Sequence, residues 1–212
     1  MDDALVWRAA AAERRALADD LDGLGGEQWC SPTLCAAWDV RTVSAHLVAA
    51  LDSSPWPLLA ALVRSGGRVH RANDLLARRT AQRPTADLVG LLRGRADTRA
   101  APPVIGARGP LTDVLVHAGD IRLPLGLAHE PSAEGVRAGL EFVVAGRPVG
   151  FAPRGRLAGL RLVAEDLDRS WGQGEVVAGR GIDLLMAACG RAAVLERLHG
   201  DGAVLLARRL NP

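Results

Sequence analysis

The sequence contains no lysine and no tyrosine, and all 26 of its basic residues are arginine. That excludes a phosphate-loop lysine, Schiff-base chemistry and a phenolic general acid. Cysteine is scarce as well: Cys30, Cys35 and Cys189 are an odd set with no C-x-x-C pair, so no disulfide framework is expected. No run reaches the roughly 18 apolar residues of a membrane span. The opening stretch MDDALVWRAAAAERR is charged throughout and lacks the apolar core of a signal peptide, so the expected location is cytoplasmic. The net charge is only +2, with arginines and acids interspersed, which argues against a nucleic-acid-binding face. There is no G-x-S-x-G elbow for a serine hydrolase, and Gly172-Gln-Gly174 reads as a turn without phosphate-loop spacing.

What is present is apolar material in helical order. The chain has 212 residues, 49% of them hydrophobic, enough for one large domain or two small ones. Leu5, Ala9, Ala12, Ala16, Leu17 and Leu21 predict a first helix over 3–22, capped by Asp2 or Asp3. A loop follows over 23–37. Asp39 reads as the cap of a second helix carrying Val43, Leu47 and Leu51. Pro55 and Pro57 open a third, expected to run to about Arg79 and to be weakened or bent at Gly66-Gly67. Thr85 is expected to cap a fourth, Leu111–Arg122 is a fifth, and a sixth starts at Ser132 and ends near Gly146.

The glycine- and proline-rich stretch 147–159 reads as a linker. Beyond it, 160–164 and 175–178 are expected to pair as strands around a turn over 168–174, with short helices over 181–190 and 191–198. The fold expected is mainly α: a helical bundle over 1–147 and a small α+β domain over 155–212.

Chemistry concentrates in Asp113-Val-Leu-Val-His117. Residues four apart lie about 40° apart around a helix, so both side chains can reach one metal ion. Asp120 lies about 60° from His117 and can hydrogen-bond a ligand from behind. His46 flanks the apolar stripe of the second helix and is the candidate third ligand, in the way helix bundles build metal sites from facing helices. Three protein ligands leave a position open for water or substrate. Spacing alone also fits a packed histidine and a surface ion pair. His70, His129 and His199 lie in polar or turn contexts and are expected to face solvent; Cys30 and Cys35 are expected to be buried, and Trp29, Trp38 and Trp56 to anchor core or loops.

Four stretches resemble a known family. They are Glu13-Arg-Arg-Ala-Leu with Glu27-Gln-Trp29; Leu34-Cys-Ala-Ala-Trp-Asp-Val-Arg-Thr-Val-Ser-Ala-His46-Leu; Asp113-Val-Leu-Val-His-Ala-Gly-Asp-Ile-Arg122 with Pro124-Leu-Gly126; and Leu160-Arg-Leu-Val-Ala-Glu-Asp-Leu-Asp168 followed by Gly190-Arg191. In this order they resemble the actinobacterial mycothiol-dependent maleylpyruvate isomerase family. The resemblance implies a DinB-like four-helix bundle holding zinc through His46, Asp113 and His117, with Asp113 standing where glutamate is frequent. It implies a role near the metal for Arg191, with Asp120 behind the ligands, and mycothiol or another small thiol as cofactor. A small-molecule partner is expected, with no nucleic acid and no membrane, in a monomer or homodimer. The activity implied is that of a metal- and thiol-dependent isomerase or transferase. The alternatives are a metal- or thiol-responsive regulatory protein and a metal-dependent hydrolase of thiol conjugates.

Overall fold

The first helix starts where a cap makes it start. The Asp2 carboxylate accepts from the Ala4 backbone N–H at 3.4 Å, and α1 runs Asp3–Asp22. The computed structural model describes residues 2–52, 54, 56–101, 105–145, 148 and 150–210. Asp39 caps α2 (Val40–Ala50) by accepting from Thr42 N–H at 2.8 Å, as its sequence position predicts.

The expected third helix is two helices, α3 (Trp56–Arg64) and α4 (Val69–Thr80). Gly66 and Gly67, at φ +62° and +77°, turn the chain through the left-handed region, so the pair breaks the helix rather than bending it. Pro55, read as opening this helix, lies outside the described residues. Pro84 holds the cap position of α5 (Thr85–Gly94), one residue before the expected Thr85.

Helix α6 (Arg108–Arg122) begins a turn earlier than its apolar pattern, because Pro110 sits in the first turn, where a backbone N–H has no helical partner to lose. Ser132 Oγ accepts from Gly135 N–H at 3.2 Å at the start of α7 (Ala133–Ala145). The expected end of that helix near Gly146, and Arg147 and Val149 of the expected linker, lie outside the described residues.

Beyond the helices lies a small sheet rather than a pair of strands. β1 (Leu160–Ala164), β2 (Arg169–Gly172) and β3 (Glu175–Gly179) stand in the order β2-β1-β3. β1 pairs antiparallel with β2 and parallel with β3. The segment read as a turn thus supplies an edge strand. α8 (Gly181–Ala188) follows as expected, but 192–197 is a 3-10 turn, and a last helix, α9 (Asp201–Leu210), was not foreseen. The fold is mainly helical with a three-stranded sheet towards its C-terminal end.

Two apolar clusters form the interior. Leu17 and Leu21 of α1, Val43 and Leu47 of α2, Leu88 and Leu92 of α5, and Val114, Ala118 and Ile121 of α6 make one. Leu111, Leu115 and Val116 of α6, with α7, the sheet and α8, make the other. Helix α6 is therefore buried on both flanks, which fixes the direction of its remaining polar side.

A buried polar knot ties α1 to α6. The Arg122 guanidinium donates to Asp20 at 2.7 Å and to Glu13, and its Nη1 lies 3.2 Å from His129 Nδ1. His129 is 6% exposed rather than solvent-facing. His70 and His199 are exposed as expected. Trp29 is a core residue, Trp56 is 74% exposed, and Cys30 is exposed rather than buried.

Candidate metal centre

His46, Asp113 and His117 meet where α2 faces α6. Helix α2 carries His46 two turns beyond its Asp39 cap, and the i, i+4 spacing stacks Asp113 and His117 on one side of α6. His46 Nε2 lies 3.4 Å from one Asp113 oxygen, and His117 Nε2 lies 3.6 Å from the other. One ligand atom from each of the three residues falls within 4.8 Å of the others. Two nitrogens and a carboxylate are a first-row-metal donor set, and tetrahedral zinc with bonds near 2.0–2.1 Å sets its donors about 3.3 Å apart. The residues present fit the ion.

Behind His117 the fit continues. Its Nδ1 lies 2.9 Å from Asp120 Oδ2, and Asp120 is fully buried. With Nδ1–H donating to that carboxylate, the Nε2 lone pair points towards Asp113 and His46, the orientation a ligating imidazole needs. Asp120 is held in turn by Arg191, whose Nε and Nη2 reach its two oxygens at 2.8 and 2.5 Å, while Nη1 donates to the Cys189 carbonyl at 2.8 Å. The Arg191 fork is thus engaged by a carboxylate of this chain.

Arg191 reaches Asp120 because of how α8 ends. Gly190, at φ +101°, lets Gly190 N–H donate to Ala187 O at 2.9 Å and Arg191 N–H to Met186 O at 3.0 Å. This glycine-closed cap turns the chain back beside α6.

The charges follow the contacts. Burial pushes Asp113 up, but the His46 and His117 imidazoles outweigh it and hold the carboxyl at about 2. Burial likewise opposes ionisation of Asp120, and the hydrogen bonds from Arg191 and His117 hold it below its ordinary range. Asp120 in turn raises Arg191 above its ordinary value, against the effect of burial.

Sequence reasoning missed three neighbours. The Trp38 indole lies 5.2 Å from His46 and 6.2 Å from His117, centroid to centroid, and donates Nε1–H to Asp74 of α4 at 2.8 Å. Its place directly before the Asp39 cap of the helix that carries His46 was the available signal; Asp74 gave none. Cys35 is half-buried, with its sulfur near His117 and Asp120. Burial, then the Asp120 charge, push its thiol up to about 11.

Residues 10–103 match the family model described as the mycothiol maleylpyruvate isomerase N-terminal domain. Those residues, somewhat under half of the chain, are similar to that domain. The matched stretch includes His46 and ends before Asp113. The crystal structure of a mycothiol-dependent maleylpyruvate isomerase histidine-to-alanine mutant has the same fold, with a TM-score of 0.64 at 13% identity over 96% of this chain and 94% of that one. A second crystal structure of a mycothiol-dependent maleylpyruvate isomerase gives 0.56 at 12% identity over the same shares. No curated protein sequence matches the chain. The family resemblance read from the sequence is borne out over the N-terminal part, and the isomerase fold extends through the tail.

Proposed function

We propose that this chain is a zinc-type, thiol-dependent isomerase or transferase acting on a small molecule, with a mycothiol-dependent isomerisation of the maleylpyruvate kind as its first candidate reaction. The observation that carries the reading is the convergence of His46, Asp113 and His117 from two facing helices, with Asp120 orienting His117. When bound, the ion would supply Lewis acidity and lower the pKa of a coordinated thiol. His46, Asp113 and His117 would hold it. Among the described residues three donors converge at this point, leaving room for an exogenous ligand, which favours an enzyme over a closed structural site.

The chain's own residues divide the remaining work. Asp120 fixes the tautomer of His117 and the direction of its lone pair. Arg191 keeps Asp120 ionised and immobile, and its remaining N–H groups can take a ligand oxygen. Trp38 walls the imidazoles with an aromatic face that excludes water from one side.

The test has two stages. Protein made without an affinity tag should carry about one divalent ion per chain, and His46→Ala and His117→Ala should each lose most of it while keeping their helical signal. The loaded protein should then convert maleylpyruvate only when mycothiol is added. Full metal retention by both variants sinks the site, whereas retained metal without turnover sinks the reaction alone.

A further inference from the structure

Helix α3 has apolar residues on every side yet packs chiefly against α4, and Ala61 is its one buried residue. Trp56, Leu59, Ala60 and Val63, at i, i+3, i+4 and i+7, form a stripe that points away from the protein, with Trp56 74% and Val63 81% exposed. Beside it, a shallow groove of about 240 Å³ runs between α3 and α4, with Pro57, Ala61, Leu75 and Leu76 as its floor and Arg64 and Arg79 at its edges. An apolar helix left outside a core marks a contact surface.

Charge selects the occupant. Residues 53–73 hold Arg64, Arg68 and Arg71 and no carboxylate. These three and Arg79 are exposed, and among the described residues none of the four is paired with a carboxylate, in contrast to Arg78, which Asp74 neutralises at 2.9 Å. A two-fold contact with a second copy would set this basic surface against itself. An anionic surface would neutralise it.

We propose that the α3–α4 hairpin docks on an anionic lipid bilayer. The Trp56 stripe enters the boundary between headgroups and acyl chains, and the flanking arginines reach lipid phosphates. A two-turn helix is too short to register as a membrane span, which is why the sequence reading expected no membrane partner. The stripe and its arginines include none of the candidate metal ligands, although α4 also carries Asp74, the partner of Trp38.

Sedimentation of the full chain with vesicles tests this. The protein is expected to sediment with phosphatidylglycerol vesicles and not with phosphatidylcholine vesicles, and to be released as salt is raised. Val63→Asp should abolish the binding, and Arg64→Gln and Arg79→Gln should each weaken it about fivefold. All three positions are on the surface, so helical signal and metal content should stay at wild-type levels and exclude unfolding as the cause. The proposal is overturned if the wild type stays in solution with phosphatidylglycerol vesicles, or if Val63→Asp still binds them. A concentration-dependent dimer that Val63→Asp abolishes, without vesicle binding, gives the face to a second copy and overturns it equally.

Discussion

Asp120 serves two partners with one carboxylate. It accepts from Arg191 on both oxygens and from His117 on one of them, in a fully buried position. Asparagine would keep the size but lose the charge and present an N–H₂ to one of these donors. Asp120→Asn should therefore loosen His117 and weaken metal binding about 10–100-fold, read by competition with a chelator. It should also lower stability by on the order of 3 kcal/mol, because the 16%-exposed Arg191 loses its counter-charge. Wild-type metal affinity in Asp120→Asn would refute the orienting role. The placement of Asp113, His117 and Asp120 on one face of a helix was legible, since it follows from spacing alone. That Arg191 spends its fork on Asp120 was not, because the pairing bridges 71 residues of sequence and depends on how two elements pack. Trp38 and Asp74 escaped for the same reason.

Three of the helices declared themselves through their caps. Asp2, Asp39 and Ser132 begin α1, α2 and α7, each by a local hydrogen bond that the sequence encodes within three residues. Elements that depend on remote partners were harder to read. β2 exists as the antiparallel edge of β1, and its own sequence, Arg-Ser-Trp-Gly, has no alternating apolar face. The end of α8 joins the two kinds, because a local glycine sets a distant contact. Gly190→Ala would force φ near +101° on a residue with a Cβ and place that Cβ 3.0 Å from Arg156 Nη1. The expected cost is about 1–2 kcal/mol, seen as a lower unfolding temperature. Because Arg191 is the next residue, chelator competition should also show weaker metal binding. If Gly190→Ala loses stability but keeps full metal affinity, the cap does not govern the Asp120 clamp.

At the scale of the molecule, α6 belongs to both apolar clusters, so its two flanks cannot be exposed one at a time without cost. We propose on this ground that residues 1–147 and 155–212 are units that unfold in a single transition. The knot around Arg122 gives that transition a pH dependence. Burial, reinforced by the Arg122 charge, holds His129 down at about 4 from an ordinary 6.5, so the folded chain keeps it neutral while the unfolded chain takes up a proton below 6.5. The unfolded state thus binds more protons between those values, and stability must fall as pH drops from 6.5 towards 4, by on the order of 3 kcal/mol in all. Asp113 acts lower on the scale: its depressed carboxyl stabilises the fold above its unfolded pKa near 3.8, and that contribution is lost as pH falls through about 2. Denaturant unfolding of metal-free protein at a series of pH values separates the two. Metal must be absent, because ligating imidazoles have to stay neutral and would add a slope of the same sign. His129→Gln keeps an acceptor for Arg122 but cannot take up a proton, so the slope between pH 6.5 and 4 should flatten while the loss below pH 4 remains. A variant that retains the wild-type slope over that range would place the acid sensitivity outside the Arg122–His129 contact.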